Sequence, residues 1–221
     1  MELILAEKPS AARNFAKALG GKTGNYAGTE YKITNLRGHV MGLLPPDKQV
    51  PTEKVEFYKS WDLENLPWNL NDFAWKKGIL SGCKDIISGL KDVLKEADCV
   101  VIATDVDPSG EGELLAWEAL EKCGWRGPTK RMYFADEAPA SVQKAFRERK
   151  TLPSMDKDGD YVKAVVRERW DLASMQFTRA ATLVARKKGF RTVVRQGRLK
   201  SVMVKLTGDQ LKAYNEYVRK P

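Results

Sequence analysis

The sequence predicts an α/β fold, in which helices flank a mainly parallel sheet, followed by a mostly helical basic segment. Two apolar runs, residues 3–6 and 99–103, have the length and composition of buried parallel strands, and each is followed by an acidic turn and a helical pattern. The charge distribution indicates the basic segment that follows. Residues 151–221 hold 16 basic against 7 acidic residues, whereas residues 1–150 hold 22 of each, so the whole excess of +9 lies in the later segment.

In the first part, apolar strand patterns alternate with amphipathic helical patterns. The helix predicted after the first strand has Ala11, Phe15 and Leu19 on one face, and a glycine pair ends it. The predicted strands are residues 3–6, 31–36, 99–103 and 130–134. The predicted helices of this part are residues 11–19, 79–95, 114–120 and 140–149.

A polar stretch at residues 150–159, with Pro153 and a cluster of charges, predicts a domain boundary. We therefore expect a first domain at residues 1–152 and a helical segment at residues 153–221. The helices predicted in that segment are residues 160–188 and 202–218. The basic charge of the segment favours a polyanion as partner, although a basic face that is only solvated gives the same composition.

Acidic side chains follow both of the buried strands. Glu7 comes directly after the first strand, and Asp105 and Asp107 come after the strand at residues 99–103. If these strands are neighbours, the three carboxylates meet at one edge of the sheet, where open α/β sheets bind ligands. Such carboxylates repel each other unless a cation such as Mg²⁺ offsets their charge, and Lys8 beside them offers a phosphate contact. A solvated acidic turn that caps a helix is the alternative interpretation of the two aspartates alone.

Several classes of protein are excluded by composition. The chain has no apolar run of about 18 residues, which a membrane span requires, and its start lacks the basic region of a signal peptide. Its cysteines, Cys83, Cys99 and Cys123, are odd in number and form no C-x-x-C pair, which argues against a disulfide scaffold or a zinc site and favours a reducing cytoplasm. The only histidine, His39, is by itself better explained as a hydrogen-bonded structural residue than as a catalyst.

Six segments, in order across nearly the whole chain, resemble the type IA DNA topoisomerases. They are LILAEKPSAARNFAKAL at residues 3–19, GHVMGLLPP at 38–46, ATDVDPSGEGELLAWE at 103–118, RMYFADEAPASVQKAF at 131–146, RERWDLASMQFTRA at 167–180 and QGRLKS at 196–201. The AEKPS form of the first segment resembles the topoisomerase III branch. The third matches the acidic motif of the TOPRIM domain, usually written D-x-D-R-E-G-E.

The resemblance implies a TOPRIM fold that binds Mg²⁺, or Mn²⁺ in its place, through acids at the ends of the strands. The catalytic residues it implies are Glu7, Lys8, Asp105, Asp107 and Glu111, of which the four acids would be the metal ligands. It implies DNA, preferentially single-stranded, as the partner. The implied DNA contacts are Lys8, Arg167, Arg169, Arg179, Arg195, Arg198 and Lys200.

The chain departs from the family in two respects. Pro108 and Ser109 stand where the motif has Arg and Glu, so one acid that commonly helps to bind metal is missing; metal affinity would then be weaker, or Glu111 and Glu113 would substitute. The sequence ends at Pro221, about where the family enters the arch that carries the nucleophilic tyrosine, and none of its seven tyrosines has the setting of that nucleophile.

We therefore expect the amino-terminal part of a type IA topoisomerase, in the cytoplasm and associated with the nucleoid, whose tyrosine-bearing domains are joined in cis or supplied in trans. Two other hypotheses remain open. One is a stand-alone TOPRIM nuclease or primase-like enzyme, whose acids act on phosphodiesters without a tyrosine. The other is a non-catalytic protein that binds single-stranded DNA through its basic segment.

Overall fold

The computed structural model describes residues 1–218. Its strands are β1 (Glu2–Ala6), β2 (Thr23–Tyr26), β3 (Thr29–Asn35), β4 (Met41–Leu43), β5 (Lys77–Ile79), β6 (Cys99–Ala103), β7 (Thr129–Arg131) and β8 (Lys150–Thr151). Its α-helices are α1 (Pro9–Leu19), α2 (Val55–Lys59), α3 (Lys84–Leu94), α4 (Glu111–Cys123), α5 (Pro139–Arg147), α6 (Gly159–Lys187) and α7 (Arg198–Val218).

The chain forms two compact units, each built from two separate segments. The first unit contains Met1–Leu44 and Lys77–Glu168, and the second contains Pro45–Lys76 and the chain from Arg169 onward. Helix α6 contributes residues to both. The expected division into a first domain at residues 1–152 and a helical segment at residues 153–221 remains a prediction.

The first unit contains a six-stranded sheet in the order β2-β3-β1-β6-β7-β8. Strand β1 pairs in parallel with β3 and β6, and β6 pairs in parallel with β7, while the two outermost strands are antiparallel to their neighbours. The prediction of a mainly parallel sheet flanked by helices is confirmed. The sequence did not reveal β2, because its residues are mostly exposed and lack apolar alternation.

Both faces of the sheet are covered, which explains why β1 and β6 are continuous apolar runs. Alternation along β1 sends Leu3 and Leu5 to a core shared with α3 and α4, and Ile4 to a core shared with α1 and α5. The second core includes Phe15 and Phe146, both fully buried. Burial on both faces fixes the strand register, because a slip of one residue would exchange the two sets of side chains.

One predicted helix begins later than the sequence indicated. The pattern predicted a helix from residue 79, but Lys77–Ile79 forms β5, which pairs antiparallel with Met41–Leu43, and the helix begins at Lys84. The apolar residue Ile79 belongs to this hairpin, so its side chain satisfied the helical period by coincidence. The strand predicted over residues 130–134 also ends earlier, at Arg131.

The second unit has an aromatic cluster, the short helix α2 and residues of two longer helices. Tyr58, Trp68 and Phe73 are buried and pack with ring centroids 5.4–6.2 Å apart. The last part of α6 and all of α7 belong to this unit, and α7 buries none of its residues. In the part of the chain that the structure describes, no helix is both long enough and apolar enough to cross a membrane.

Candidate functional site

Glu7 and Asp105, two of the three carboxylates predicted to meet at the edge of the sheet, lie close together there. Strands β1 and β6 are parallel neighbours with Ala6 opposite Ala103, so the residues that follow them leave the sheet together. The backbone N–H of Asp105 donates to Glu7 Oε2 at 3.1 Å, and Lys8 Nζ lies 3.2 Å from Asp105 Oδ2. Two acids and one cation from two βα turns therefore form one site.

A buried ion pair supports the end of β6. Arg131 is fully buried, its Nε lies 2.6 Å from Glu113 Oε1, and its other nitrogens donate to the carbonyl oxygens of Thr104 (2.6 Å) and Asp105 (3.1 Å). Burial raises the pKa of Glu113, and the charge of Arg131 opposes that rise without cancelling it. Glu113 therefore binds Arg131 in the interior of the protein. Its carboxylate is not available as the substitute metal ligand that the sequence suggested.

The acidic turn is held by hydrogen bonds to Asp107. Its Oδ1 accepts from the Ser109 backbone N–H at 2.8 Å and from the Ser109 hydroxyl, and its Oδ2 accepts from the Gly112 N–H at 3.2 Å. Burial alone would raise the pKa of Asp107, but these hydrogen bonds outweigh it and lower the pKa. Ser109, which stands where the motif of the resembled family has Glu, thus acts as a donor that fixes Asp107.

Two glycines in this turn permit close backbone approach. Gly110 has a φ of 74°, and a Cβ there would lie 2.1 Å from the carbonyl oxygen of Asp160. A Cβ on Gly112 would lie 2.1 Å from the carbonyl oxygen of Asp105. Neither position has room for another residue without movement of the backbone.

Glu111 has a partner on each carboxylate oxygen. His39 Nε2 lies 2.6 Å from its Oε1, and Arg167 Nη2 lies 2.7 Å from its Oε2. The hydrogen bond with His39 is the main reason why the pKa of Glu111 is lowered, and Arg167 adds to the effect. Arg167, predicted to contact DNA, also donates from Nη1 to the Ser109 hydroxyl. The sequence indicated none of these three contacts, since they join residues 56 or more positions apart.

The pKa values of both Glu7 and Lys8 are raised in the site. Burial raises the pKa of Glu7, and the charges of Asp105 and Glu111 add to this, while the hydrogen bond to Asp105 raises the pKa of Lys8. Within residues 1–218, no three or more carboxylate, imidazole or thiol groups are arranged to hold a metal ion. The donor chemistry nevertheless suits a hard cation, because Glu7 and Asp105 each keep one carboxylate oxygen without a hydrogen-bond partner among the described residues.

Of the DNA contacts predicted in the second unit, Arg179 is buried and the others are exposed. Arg179 is buried, with its guanidinium carbon 4.7 Å from the ring centre of Trp68 and 5.4 Å from that of Trp61, and it donates to the carbonyl oxygens of Tyr58 and Ser60. Burial lowers the pKa of Arg179.

The remaining predicted contacts of this unit lie at its surface. Arg198 forms a two-point ion pair with Asp171, at 2.6 and 3.1 Å, and Arg169 lies over Trp75. Arg195 and Lys200 are exposed and form no ion pair with any residue in the range 1–218.

Comparison with known proteins identifies the class. Residues 2–136 match the family model of the Toprim domain, and the chain therefore belongs to that family. It is similar to DNA topoisomerase 3 of Staphylococcus epidermidis, with 30% identity over 151 residues, or 67% of this chain and 20% of that protein. It is equally similar to DNA topoisomerase 3 of Bacillus subtilis, with 30% identity over 81% of this chain and 24% of that protein.

A solved structure shows the same fold. Full-length topoisomerase I from Thermotoga maritima matches with a TM-score of 0.63 and 22% identity, over 99% of this chain and 31% of that chain. The resemblance to the amino-terminal part of type IA topoisomerases, first indicated by the six sequence segments, is confirmed. The chain spans a quarter or less of the length of the curated relatives named above.

Proposed function

We propose that this chain supplies the acidic site of a type IA DNA topoisomerase, where the cleaved strand is held and resealed. The observation that carries the proposal is the meeting of Glu7, Lys8 and Asp105 at the carboxyl edge of the sheet. Negative charge builds up on the oxygens of a phosphodiester as it is cleaved and resealed, and a cation stabilises that charge. A carboxylate site that binds Mg²⁺, with a lysine beside it, would supply such cations. The tyrosine nucleophile would come from the other domains of the enzyme, in cis or in trans.

Glu7 and Asp105 would hold Mg²⁺, with water in the remaining positions. Mg²⁺ typically takes one or two carboxylates together with waters and substrate phosphate, and when bound it would neutralise negative charge on the phosphate. The like charges on Glu7 and Asp105 favour this, because a cation between them removes their repulsion. Asp107 and Glu111, which the resemblance also implies as ligands, would join them on displacing donors that now bond to their oxygens.

Lys8 would hold a phosphate oxygen. Its ammonium group is exposed and hydrogen-bonded to Asp105, which keeps it charged and limits its rotation. A metal on Asp105 would compete for the same carboxylate, and Lys8 would then donate to the phosphate in place of the aspartate. The ammonium group thus remains neutralised in both states.

The exposed basic residues of the second unit would grip single-stranded DNA through its phosphates. Arg169, Arg195 and Lys200 have exposed side chains, so they can approach a backbone without breaking an ion pair. Arg198 would first have to leave Asp171, and Arg179 would have to leave its aromatic cage. Binding that depends on such contacts weakens as salt rises. We therefore propose that the protein acts on DNA in the cytoplasm.

A cleavage assay tests the proposal. The chain is incubated with negatively supercoiled plasmid and with an end-labelled single strand, with and without Mg²⁺, and the products are separated on denaturing gels before and after protease treatment. We expect salt-sensitive binding of the single strand, no relaxation and no cleavage by the chain alone. Mg²⁺-dependent nicks with free ends, lost in Asp105→Ala, would overturn the proposal in favour of a Toprim nuclease. Binding that Mg²⁺ does not change would favour a non-catalytic DNA-binding protein.

A further inference from the structure

We propose that Lys77 is a positioning residue: it joins helices α4 and α6 through one carboxylate on each, and it thereby holds Arg167 at the acidic site. The inference deepens the proposed function and rests on it for the ligand of Arg167, a phosphate of single-stranded DNA. Lys77, Glu118 and Glu168, which we call the Lys77 bridge, all belong to the first unit and lie outside the acidic site.

In the Lys77 bridge, one ammonium group contacts two carboxylates from different helices. Lys77 Nζ, from β5, bonds to Glu118 Oε1 of α4 and lies 2.6 Å from Glu168 Oε2 of α6. The side chains of Lys77, Glu118 and Glu168 are 20%, 3% and 18% exposed, so water screens their charges weakly. Because both carboxylates contact the same nitrogen, the bridge fastens α6 to α4.

Without Lys77, the two carboxylates would repel each other. Neither Glu118 nor Glu168 forms an ion pair with any other cation in the range 1–218. Burial and the charge of Glu168 both raise the pKa of Glu118, and Lys77 is the main group that opposes this rise. Loss of the ammonium group would therefore push α6 away from α4 or force one carboxyl to take up a proton.

The Lys77 bridge lies next to the arginine of the acidic site. Arg167 directly precedes Glu168 on α6, and Glu118 follows Glu111 by about two turns on the same face of α4. Arg167 Nη2 lies 2.7 Å from Glu111 Oε2, but a metal that recruits Glu111 would free Arg167 from that carboxylate. The bridge keeps α6 beside α4 in both states, because it uses no residue of the acidic site.

Arg167 has donors to offer a phosphate. Its contacts to Glu111 and to the Ser109 hydroxyl use one N–H on each terminal nitrogen and leave the second N–H of each. A guanidinium binds phosphate oxygens best through two parallel N–H groups, which requires a fixed orientation. A small displacement of α6 would therefore weaken this contact.

Two variants separate the charge bridge from a simple loss of packing. Lys77→Met removes the ammonium group and leaves the repulsion, whereas Lys77→Met/Glu118→Gln removes one of the repelling charges as well. We expect the double variant to recover most of the stability and DNA affinity that Lys77→Met loses. Glu118 is chosen for the second change because it is the more buried acid and does not adjoin Arg167.

The experiment measures two quantities for each variant of the full chain. The first is the melting temperature, by circular dichroism; the second is the affinity for a labelled single-stranded oligonucleotide in EDTA, by fluorescence anisotropy. Arg167→Ala and Arg167→Ala/Lys77→Met complete the set. Lys76→Met is the matched control, since it removes the same charge from an exposed neighbouring side chain.

We expect Lys77→Met to lower the melting temperature by roughly 5–15 °C and to weaken DNA binding by roughly three- to tenfold. Lys76→Met should stay within about twofold of the parent. Arg167→Ala should weaken binding by a factor similar to that of Lys77→Met. Adding Lys77→Met to Arg167→Ala should then weaken binding by less than about twofold more, because Lys77 acts through Arg167.

A pH series adds a readout that a loss of packing would not change. In Lys77→Met, burial and Glu168 raise the pKa of Glu118 without opposition from the ammonium group, so this carboxyl takes up a proton as pH falls and the repulsion ends. The binding deficit of Lys77→Met relative to Lys76→Met should therefore shrink from about pH 8 to about pH 6. The other titratable groups that face the bridge are the same in both proteins, namely Tyr161 of α6 and His39.

Several results would overturn the inference: a double variant no more stable than Lys77→Met, an unchanged affinity in Arg167→Ala, or an equal effect of Lys77→Met with and without Arg167. If Lys77→Met does not fold, folding of Lys77→Met/Glu118→Gln would support the bridge, and failure of both would overturn it. A parent chain that does not bind the oligonucleotide would instead refute the proposed function, while the melting temperatures would still test whether Lys77 joins the two helices.

Discussion

The substitution Arg131→Met should destabilise the first unit strongly, because it leaves Glu113 as a buried charge without a partner. The side chains of Arg131 and Glu113 are 0% and 3% exposed, and their ion pair measures 2.6 Å. Removal of one member of such a pair costs about 3–5 kcal/mol. The substitution also removes the donors to the Thr104 and Asp105 carbonyl oxygens, so its cost should lie in the upper part of that range.

Chemical and thermal unfolding measure this cost. For a chain of this size, about 3–5 kcal/mol corresponds to a fall in the melting temperature of roughly 6–20 °C. Arg126→Met is the control, since Arg126 is exposed on the loop before β7. The double variant Arg131→Met/Glu113→Leu should be more stable than Arg131→Met, because it removes the buried charge as well.

Two results would refute this reasoning. The first is a loss of less than about 1 kcal/mol in Arg131→Met, comparable to an ordinary surface substitution. The second is a double variant no more stable than Arg131→Met, which would mean that the buried Glu113 charge is not the source of the cost. The first result would remove Arg131 as the support for the end of β6, and the second would leave the lost donors to the Thr104 and Asp105 carbonyl oxygens as the source of the cost.

Three further predictions concern single positions. Gly112→Ala should lower the melting temperature and weaken Mn²⁺ binding, because its Cβ would lie 2.1 Å from the Asp105 carbonyl oxygen; Gly89→Ala, where nothing lies within 4 Å, should lower neither. Arg179→Met should cost about 1–3 kcal/mol in urea unfolding and shift the tryptophan emission, since the guanidinium packs against the rings of Trp61 and Trp68; unchanged emission would contradict that packing. Burial raises the pKa of Glu7 above 4.5, so the native state binds this proton more tightly than the unfolded chain and loses stability as pH rises through the folded-state pKa. Thermal melts across that range should therefore show Glu7→Gln gaining stability relative to the parent as pH rises. A stability difference between the two proteins that stays constant with pH would mean that the pKa of Glu7 is unshifted.

The central strands and the meeting of the acids could be predicted because their signals are local. The apolar runs of β1 and β6 are continuous, and parallel strands bring their carboxyl ends to one edge, so Glu7 and Asp105 had to converge once the strands were neighbours. The hairpin of β4 and β5 was missed because its strands have three residues each and no alternation long enough to detect.

The partners of the acids could not be predicted because they depend on side chains far apart in the sequence. Arg131 follows another basic residue, Lys130, in a short strand, and nothing in the sequence identifies Glu113 as its partner. Arg167 looked like a DNA contact from its charge, and only the fold places it against Glu111 and Ser109. The lone His39 was expected to be a hydrogen-bonded residue, and it does hydrogen-bond, to Glu111.

The most direct test of the central claim is whether Mg²⁺ changes the affinity of the chain for single-stranded DNA through Asp105. Fluorescence anisotropy with a labelled oligonucleotide, at constant ionic strength, measures this affinity at each Mg²⁺ concentration. Asp105→Asn is compared with the control Asp92→Asn, which changes an exposed aspartate on α3. We expect Mg²⁺ to tighten binding by the parent and the control but not by Asp105→Asn. An equal effect of Mg²⁺ on all three proteins would contradict a metal site at the carboxyl edge of the sheet.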